Sequence, residues 1–361
     1  MMSSEPPVAR IGSIWQQRIG SLREYDVVQD GNIFGANLLK GSLFSSEQAG
    51  AFHLLTSLQE DYFGRPFNEV FSGDETENEA GRSFVIRSRH PVNRNRIDPG
   101  KYLEAFIHDL TLVRGIGDVT GKRLNARGYR TLDDLSRHPR FQAAAAAVLR
   151  QIRNPVSSEV MELIGRRHSR SHPLAMGAAS LHEPEDFLFL DIETLGLFSR
   201  PVILIGVGMI DGQHLEINQY LLREITEEPA ALVAALSHLP DERPALVTYN
   251  GKAFDLPYLQ DRLAYYGLGT INAAAHFDLL HFARARWRGR FPSLRLTSLE
   301  KELFGVERHG DVPGQMVPEF YETYQKTGNC GPLVPIVEHN RQDVLSLARL
   351  FFQLIGEMYG S

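Results

Sequence analysis

The sequence predicts an α/β protein in which a mixed sheet flanked by helices follows a mainly helical region. Three observations carry this reading. Three β-rich segments, FLFLDIE (187–193), VILIGVGMI (202–210) and HLEINQYLL (214–222), lie close together, as in an antiparallel meander. After them helix-period and strand-like segments alternate to the end of the chain, the pattern of a sheet covered by helices. Before them, in 46–62, 101–113, 118–127, 131–137 and 141–152, apolar residues recur at helical spacing.

The composition, 361 residues with 43% hydrophobic and 23% charged, fits a globular chain with room for two domains or more and excludes disorder over the whole length. No window approaches the roughly 18 uninterrupted apolar residues of a membrane helix, and the first residues lack the basic start and apolar core of a signal peptide. A cytoplasmic protein with no membrane partner is expected. The single cysteine, Cys330, can form neither an intramolecular disulfide nor a thiolate metal site alone, so a metal here would take oxygen or imidazole ligands.

Residues 1–99 match no pattern to which a role attaches, and within them GDETENEAG (73–81) reads as an exposed acidic loop. Residues 100–153 form a candidate nucleic-acid-binding module. Residues 154–184 are read as a linker, because RRHSRSHPLAMGAAS (166–180) combines Arg, Ser, His and small residues without an apolar period. The α/β domain is expected over 185–361, with helices at 228–238, 253–266 and 335–358 and strands at 245–250 and around 276–280.

The formal charge of -6 conceals a polarity: residues 1–81 hold 5 basic and 12 acidic side chains, whereas residues 82–172 hold 18 and 8. A basic middle of this kind is either a solvated face or the footprint of a phosphate-binding module. Within it, LVRGIGDVTGKRLNARGYRTLDDL (112–135) reads as helix, tight turn and helix. Gly115 and Gly117 permit a turn whose backbone N–H groups face a phosphate oxygen, with Lys122 and Arg123 adding charge. A dinucleotide-binding turn is the rival for Gly-x-Gly and would require a strand before it, where the sequence reads as helix. A protein-binding role for the hairpin also stays open.

Asp191 and Glu193 end the apolar strand FLFLDIE, and strand alternation puts both on one face of the sheet. Paired carboxylates at the end of a buried strand repel one another and call for a cation, unless the strand end is simply solvated. Asp255 follows the strand at 245–250 in the first turn of a helix, a position that the helix dipole alone favours. In HNRQDVLSLARLFFQLI, His339 and Asp343 are four residues apart and share one edge of an apolar helix stripe. In RARWRGRFPSLR (284–295), arginines that include Arg288 and Arg290 interleave with Trp287 and Phe291. This stretch is a candidate path for a single strand, or an amphipathic segment with its aromatics in the core.

Taken together, these motifs resemble the DEDD (DnaQ-like) exonuclease superfamily, with its ribonuclease-H-like fold, and in detail the YprB-like branch. The first motif is Asp191-Ile192-Glu193-Thr194, the second Asn250 with Phe254-Asp255, and the third His339 with Asp343. RGRFPSLRLTSLEKELFG and DVPG are also similar to that branch, and residues 112–135 resemble a helix-hairpin-helix. The resemblance implies that Asp191, Glu193, Asp255 and Asp343 hold two Mg²⁺ or Mn²⁺ ions and that Thr194, Asn250 and Phe254 lie beside substrate. It also implies that His339 takes part in catalysis. His339 stands four residues before the last aspartate, as in the tyrosine subclass, and not five as in the histidine subclass, so general base and orienting residue both stay open. The expected function is a 3′ to 5′ exonuclease on DNA. An RNA-processing exonuclease and a non-catalytic nucleic-acid-binding scaffold are the alternatives.

Overall fold

The computed structural model describes residues 41–359, apart from 154, 197–198, 240–243 and 272–274. Helices α1 (Gly41–Asp61) and α2 (Phe67–Val70) lead into a hairpin of β1 (Asp74–Asn78) and β2 (Gly81–Pro91). A helical section follows: α3 (Pro99–His108), a 3₁₀ turn (Leu110–Leu112), α4 (Asp118–Ala126), α5 (Leu132–Leu135), α6 (Gln142–Arg153), α7 (Ser157–Gly165) and α8 (Pro173–Gly177). The meander then runs through β3 (Phe187–Thr194), β4 (Val202–Asp211) and β5 (His214–Leu221). Alternation completes the chain, with α9 (Glu228–Leu236), β6 (Ala245–Thr248), α10 (Asp255–Tyr266), β7 (Ala275–Asp278), α11 (Leu279–Trp287), α12 (Leu296–Phe304), α13 (Val317–Thr327) and α14 (Leu333–Tyr359). No helix among the described residues is long and apolar enough to cross a membrane.

The strands form one mixed sheet in the order β1-β2-β5-β4-β3-β6-β7. Pairing is antiparallel from β1 through to β3 and parallel between β3, β6 and β7. This is a ribonuclease-H-like sheet with flanking helices, as the sequence predicts, and it is preceded by a mainly helical section.

Two boundaries need correction. Residues 73–81 are not a loop: β1 pairs with β2, and β2 pairs with β5 from Phe84 opposite Leu221 to Pro91 opposite His214. The unassigned N-terminal region therefore supplies two strands of the same sheet, and the structural unit does not begin at 185. The acids that suggested a loop lie on an edge strand, where outward charges discourage further pairing.

The predicted linker at 154–184 is likewise folded, since Leu174, Ala175, Met176 and Ala178 are buried in a cluster that runs continuously from Tyr102 and Phe106 to Phe189 and Phe351. Val160, Leu163 and Ile164 of α7 fall at helical spacing within it, whereas the buried residues 174–179 are consecutive and leave no period to read. Gly177 is required there, because a Cβ would stand 2.4 Å from the Tyr102 ring.

Strand β3 divides the two cores by alternation. Phe187 and Phe189 belong to the cluster shared with α14 and the helical section, whereas Leu188, Leu190 and Ile192 belong to the cluster on the opposite face. Asp191 and Glu193 continue the first set, so they emerge on the face that α14 covers. Phe351 of α14 packs on Phe187 and Phe189 with ring centroids 4.8 and 5.8 Å apart. Further along, α14 comes so near β4 that a Cβ on Gly206 would stand 2.2 Å from the Asn340 side-chain oxygen, and one on Gly208 would stand 2.8 Å from Val344.

Candidate functional site

Four carboxylates from three elements meet where β3 passes under α14. Asp191 and Glu193 come from β3, Asp255 from the first residue of α10, and Asp343 from the middle of α14. Their proximity is electrostatic as well as spatial. Burial first, and then the charges of Asp343, Glu193 and Asp255, hold the Asp191 carboxyl well above the usual carboxylate range. Burial raises Glu193 to about 7, with Asp343 and Asp311 adding to the rise and His339 and Arg308 opposing it. Asp255 is pushed to about 7 by burial, and backbone N–H groups offset part of the effect of neighbouring Asp278 and Glu193. Ordinary buried aspartates that gain a partner shift the other way. This cluster has affinity for positive charge.

Protein cations meet part of that demand. Arg308 donates to Glu300 at 2.9 Å and to Asp343, and stands 3.6 Å from Asp311. His339 has its Nδ1 atom 2.7 Å from Asp311 and its Nε2 atom 3.6 Å from Asp343 and 3.9 Å from Glu193. Burial disfavours its charged form, but Asp343, Asp311 and Glu193 outweigh it and raise the imidazole to about 10. His339 Nε2 therefore looks into the carboxylate cluster while Asp311 fixes the other side of the ring.

Backbone geometry places each acid. Asn340 Nδ2 donates to the Asp191 carboxylate at 2.8 Å, and Gln219 Nε2 donates to the Asn340 side-chain oxygen at 3.0 Å and to Val337 O at 2.8 Å. Asp278, at the end of β7, accepts the N–H groups of Asn250 at 2.8 Å and Lys252 at 3.1 Å. That clamps the turn leading into α10, in which Asn250 adopts a left-handed φ of 66°, a conformation that asparagine tolerates better than most residues. Phe254, half-buried, is the residue before α10 and packs on Tyr258 with centroids 5.4 Å apart. Thr194 is buried and its hydroxyl donates to Gly196 O at 2.8 Å.

Asp311, Arg308, Asn340, Gln219 and Asp278 are absent from the sequence-derived set. Asn340 carried a readable signal, a polar residue interrupting at helical spacing the apolar row between Val337 and Val344, and in the structure it is fully buried. Arg308 and Asp311 sit in the aperiodic loop after α12; Asp311 opens the DVPG stretch noted in the sequence, without a role attached to it, and Arg308 carries no signal.

Trp287 is fully buried, with its indole N–H 3.2 Å from Glu357, so it belongs to the core and cannot stack on a base. Arg288 and Arg290 are exposed, with Arg290 over the Phe291 ring at 5.2 Å. No hydrogen bond or ion pair among the described residues links either to the carboxylates. In the hairpin, Gly115 has a φ of 89° and Gly117 precedes α4 with extended backbone, while Lys122 and Arg123 are exposed. A helix and a 3₁₀ turn precede the glycines, which removes the dinucleotide-binding reading.

A second group, Asp109, His168 and His172, brings possible ligand atoms within 4.8 Å of one another in the helical section. Its atoms already have protein partners: His168 Nε2 lies 3.0 Å from Asp109, and His172 Nδ1 accepts the Leu174 N–H at 3.3 Å.

An all-oxygen donor set such as Asp191, Glu193, Asp255 and Asp343 suits hard divalent cations, and the raised proton affinity of three of its members fits them. Comparison with known proteins agrees with the fold. Residues 188–355 match the model of the RNase_H superfamily. The chain is also 32% identical over 222 residues to the uncharacterized protein YprB of Bacillus subtilis (strain 168), covering 57% of this chain and 52% of that protein. It thus spans about half the length of that curated relative. Residues 188–355 are thus similar to the ribonuclease H superfamily, and the chain is similar over a longer stretch to YprB.

Proposed function

We propose that the chain is a divalent-cation-dependent nuclease that hydrolyses phosphodiester bonds from the 3′ end, with DNA as its substrate. The observation that carries this reading is the convergence of Asp191, Glu193, Asp255 and Asp343 in one cluster, in which burial makes Asp191, Glu193 and Asp255 resist ionisation. Repelling acids collected in a core are costly to fold and become favourable when cations bind. Asp191, Glu193, Asp255 and Asp343 would hold two Mg²⁺ or Mn²⁺ ions, which supply Lewis-acid polarisation of the phosphoryl group and an activated water for in-line displacement.

The remaining tasks fall to the chain itself. Asn340 fixes the direction of the Asp191 carboxylate. Arg308 keeps Asp343 and Glu300 in place and balances their charge. His339, steadied by Asp311, directs Nε2 at the acids that raise its proton affinity; with cations offsetting their charge, the ring would be neutral and placed to receive a proton leaving the attacking water. The hairpin around Gly115 and Gly117 and the basic residues of 82–172 support a nucleic-acid polymer as the substrate, and the choice of DNA is left to the test below.

The test is incubation of end-labelled single- and double-stranded DNA and RNA with Mg²⁺, with Mn²⁺ or with EDTA. The expected result is stepwise shortening of 3′-extended DNA that EDTA abolishes. Cleavage that survives EDTA, or none on any of the four substrates, would overturn the proposal. Preferential shortening of RNA would move the substrate to the alternative class.

A further inference from the structure

Apart from the carboxylate cluster, the helical section holds a groove of about 570 Å³ between α6 and α7. Val148 and Leu163 line its apolar part, and Arg114, Arg150, Arg166 and Arg167 line its basic part, against the single carboxylate of Glu159. All four arginines are exposed. Arg166 pairs with Glu162 at 2.6 Å, whereas Arg114, Arg150 and Arg167 have no ion pair among the described residues. Guanidinium groups gathered without carboxylate partners repel one another and create a positive potential that recruits an anion. Their planar forks match phosphate oxygens two at a time.

The groove is built into the fold. His168, just after Arg166 and Arg167, has its Nε2 atom 3.0 Å from Asp109 and 3.1 Å from the Thr111 hydroxyl. That contact pins the end of α7 to the turn leading into Arg114 and Gly115, so arginines distant in sequence share one rim. Basic residues also continue from the groove towards the carboxylates. Arg170 lies near enough to act on Lys252 and His281, in both of which burial is the larger influence and Asp278 opposes the shift. Lys252 in turn shares with Asn250 the Asp278 clamp that sets the start of α10 and hence Asp255.

We propose that this groove is a binding site for the phosphodiester backbone of a nucleic acid, seating the part of the strand that extends beyond the nucleotide at the carboxylates. The proposal rests on the nucleic-acid reading above and adds the place where the polymer is held. Recognition is of phosphates, common to DNA and RNA.

The test uses the full chain carrying Arg150→Ala together with Arg167→Ala, and a second variant with lysine at both positions. Affinity for a long fluorescein-labelled single-stranded oligonucleotide, as DNA and as RNA of one sequence, is read by anisotropy in EDTA over a series of salt concentrations. Hydrolysis of a labelled dinucleotide, too short to span both sites, is read separately with Mg²⁺, and circular dichroism checks the fold. The alanine variant is expected to bind the long strand about tenfold more weakly, with a salt slope flatter by about 0.7 for each phosphate no longer neutralised. It should cut the dinucleotide at the wild-type rate, and the lysine variant should recover most of the affinity. Unchanged affinity and slope in the alanine variant would overturn the groove while leaving the nuclease reading intact. A wild-type chain that binds the long strand but cuts nothing would overturn the nuclease reading alone, and the weaker binding of the variant would still support the groove. Binding of neither polymer by the wild type would overturn both.

Discussion

The Nδ1 atom of His339 lies 2.7 Å from the Asp311 carboxylate, which leaves the Nε2 atom of the same ring directed at Asp343 and Glu193. A carboxylate on one ring nitrogen sets both the tautomer and the direction of the other. His339→Ala is therefore expected to slow cleavage by about 10²–10⁴, the usual worth of a positioned proton acceptor, without weakening cation binding. Asp311→Asn should give a smaller loss and His339→Tyr no rescue. Initial rates across pH and calorimetric titration with Mn²⁺ check this. Restoration of most of the activity by tyrosine would instead make orientation the role of this position.

Asp191 and Asp343 differ in their neighbours, which separates two variants that both remove a carboxylate. Asp191 is surrounded by three other acids and touches the neutral Asn340 amide, whereas Asp343 pairs with Arg308. Both Asp191→Asn and Asp343→Asn should abolish cleavage. In EDTA, Asp191→Asn should melt above the wild type because repulsion is relieved, and Asp343→Asn below it because Arg308 loses a half-buried partner. Differential scanning calorimetry reads both. Equal melting shifts of one sign would exclude this account of the charges.

The metal-free protein should lose stability as pH rises. Glu193 and Asp255, both raised to about 7 chiefly by burial, keep protons in the folded chain that an unfolded chain releases near pH 4. Folding therefore takes up protons between about pH 4 and 7, so this stability is present at the acid end and lost through pH 7. His339, raised to about 10 by its acidic neighbours against the effect of burial, acts in the same sense between about pH 6.5 and 10. Thermal melting in EDTA is expected to fall from about pH 5 to about pH 8, and saturating Mg²⁺ should flatten the curve. A melting temperature that climbs over this range in EDTA would contradict the raised carboxylates.

Gly206 tests how closely α14 must approach the sheet. An added methyl would meet the Asn340 amide, which holds Asp191. Gly206→Ala should cost about 1–3 kcal/mol in urea unfolding, as overpacking does, and lower the cleavage rate more than Gly50→Ala, where the new Cβ at an exposed position of α1 meets no atom within 4 Å. Wild-type unfolding and rate in Gly206→Ala would show that the helix has room to move.

The sequence by itself determined the local features. Alternation in FLFLDIE decides that Asp191 and Glu193 share a face, the four-residue step from His339 to Asp343 decides that they share a helix edge, and the closely spaced β-rich segments make the meander legible. Each of these depends on a period of two or 3.6 residues, which neighbouring positions carry on their own. Only the tertiary structure decided that β2 joins β5, that residues 166–180 belong to a core, that Trp287 is buried rather than available for stacking, and that Arg308 and Asp311 complete the site. These relationships join residues far apart in the chain through packing and charge. Nothing in the local pattern of an acidic edge strand, an arginine-rich turn or an aperiodic loop encodes which distant surface it will meet.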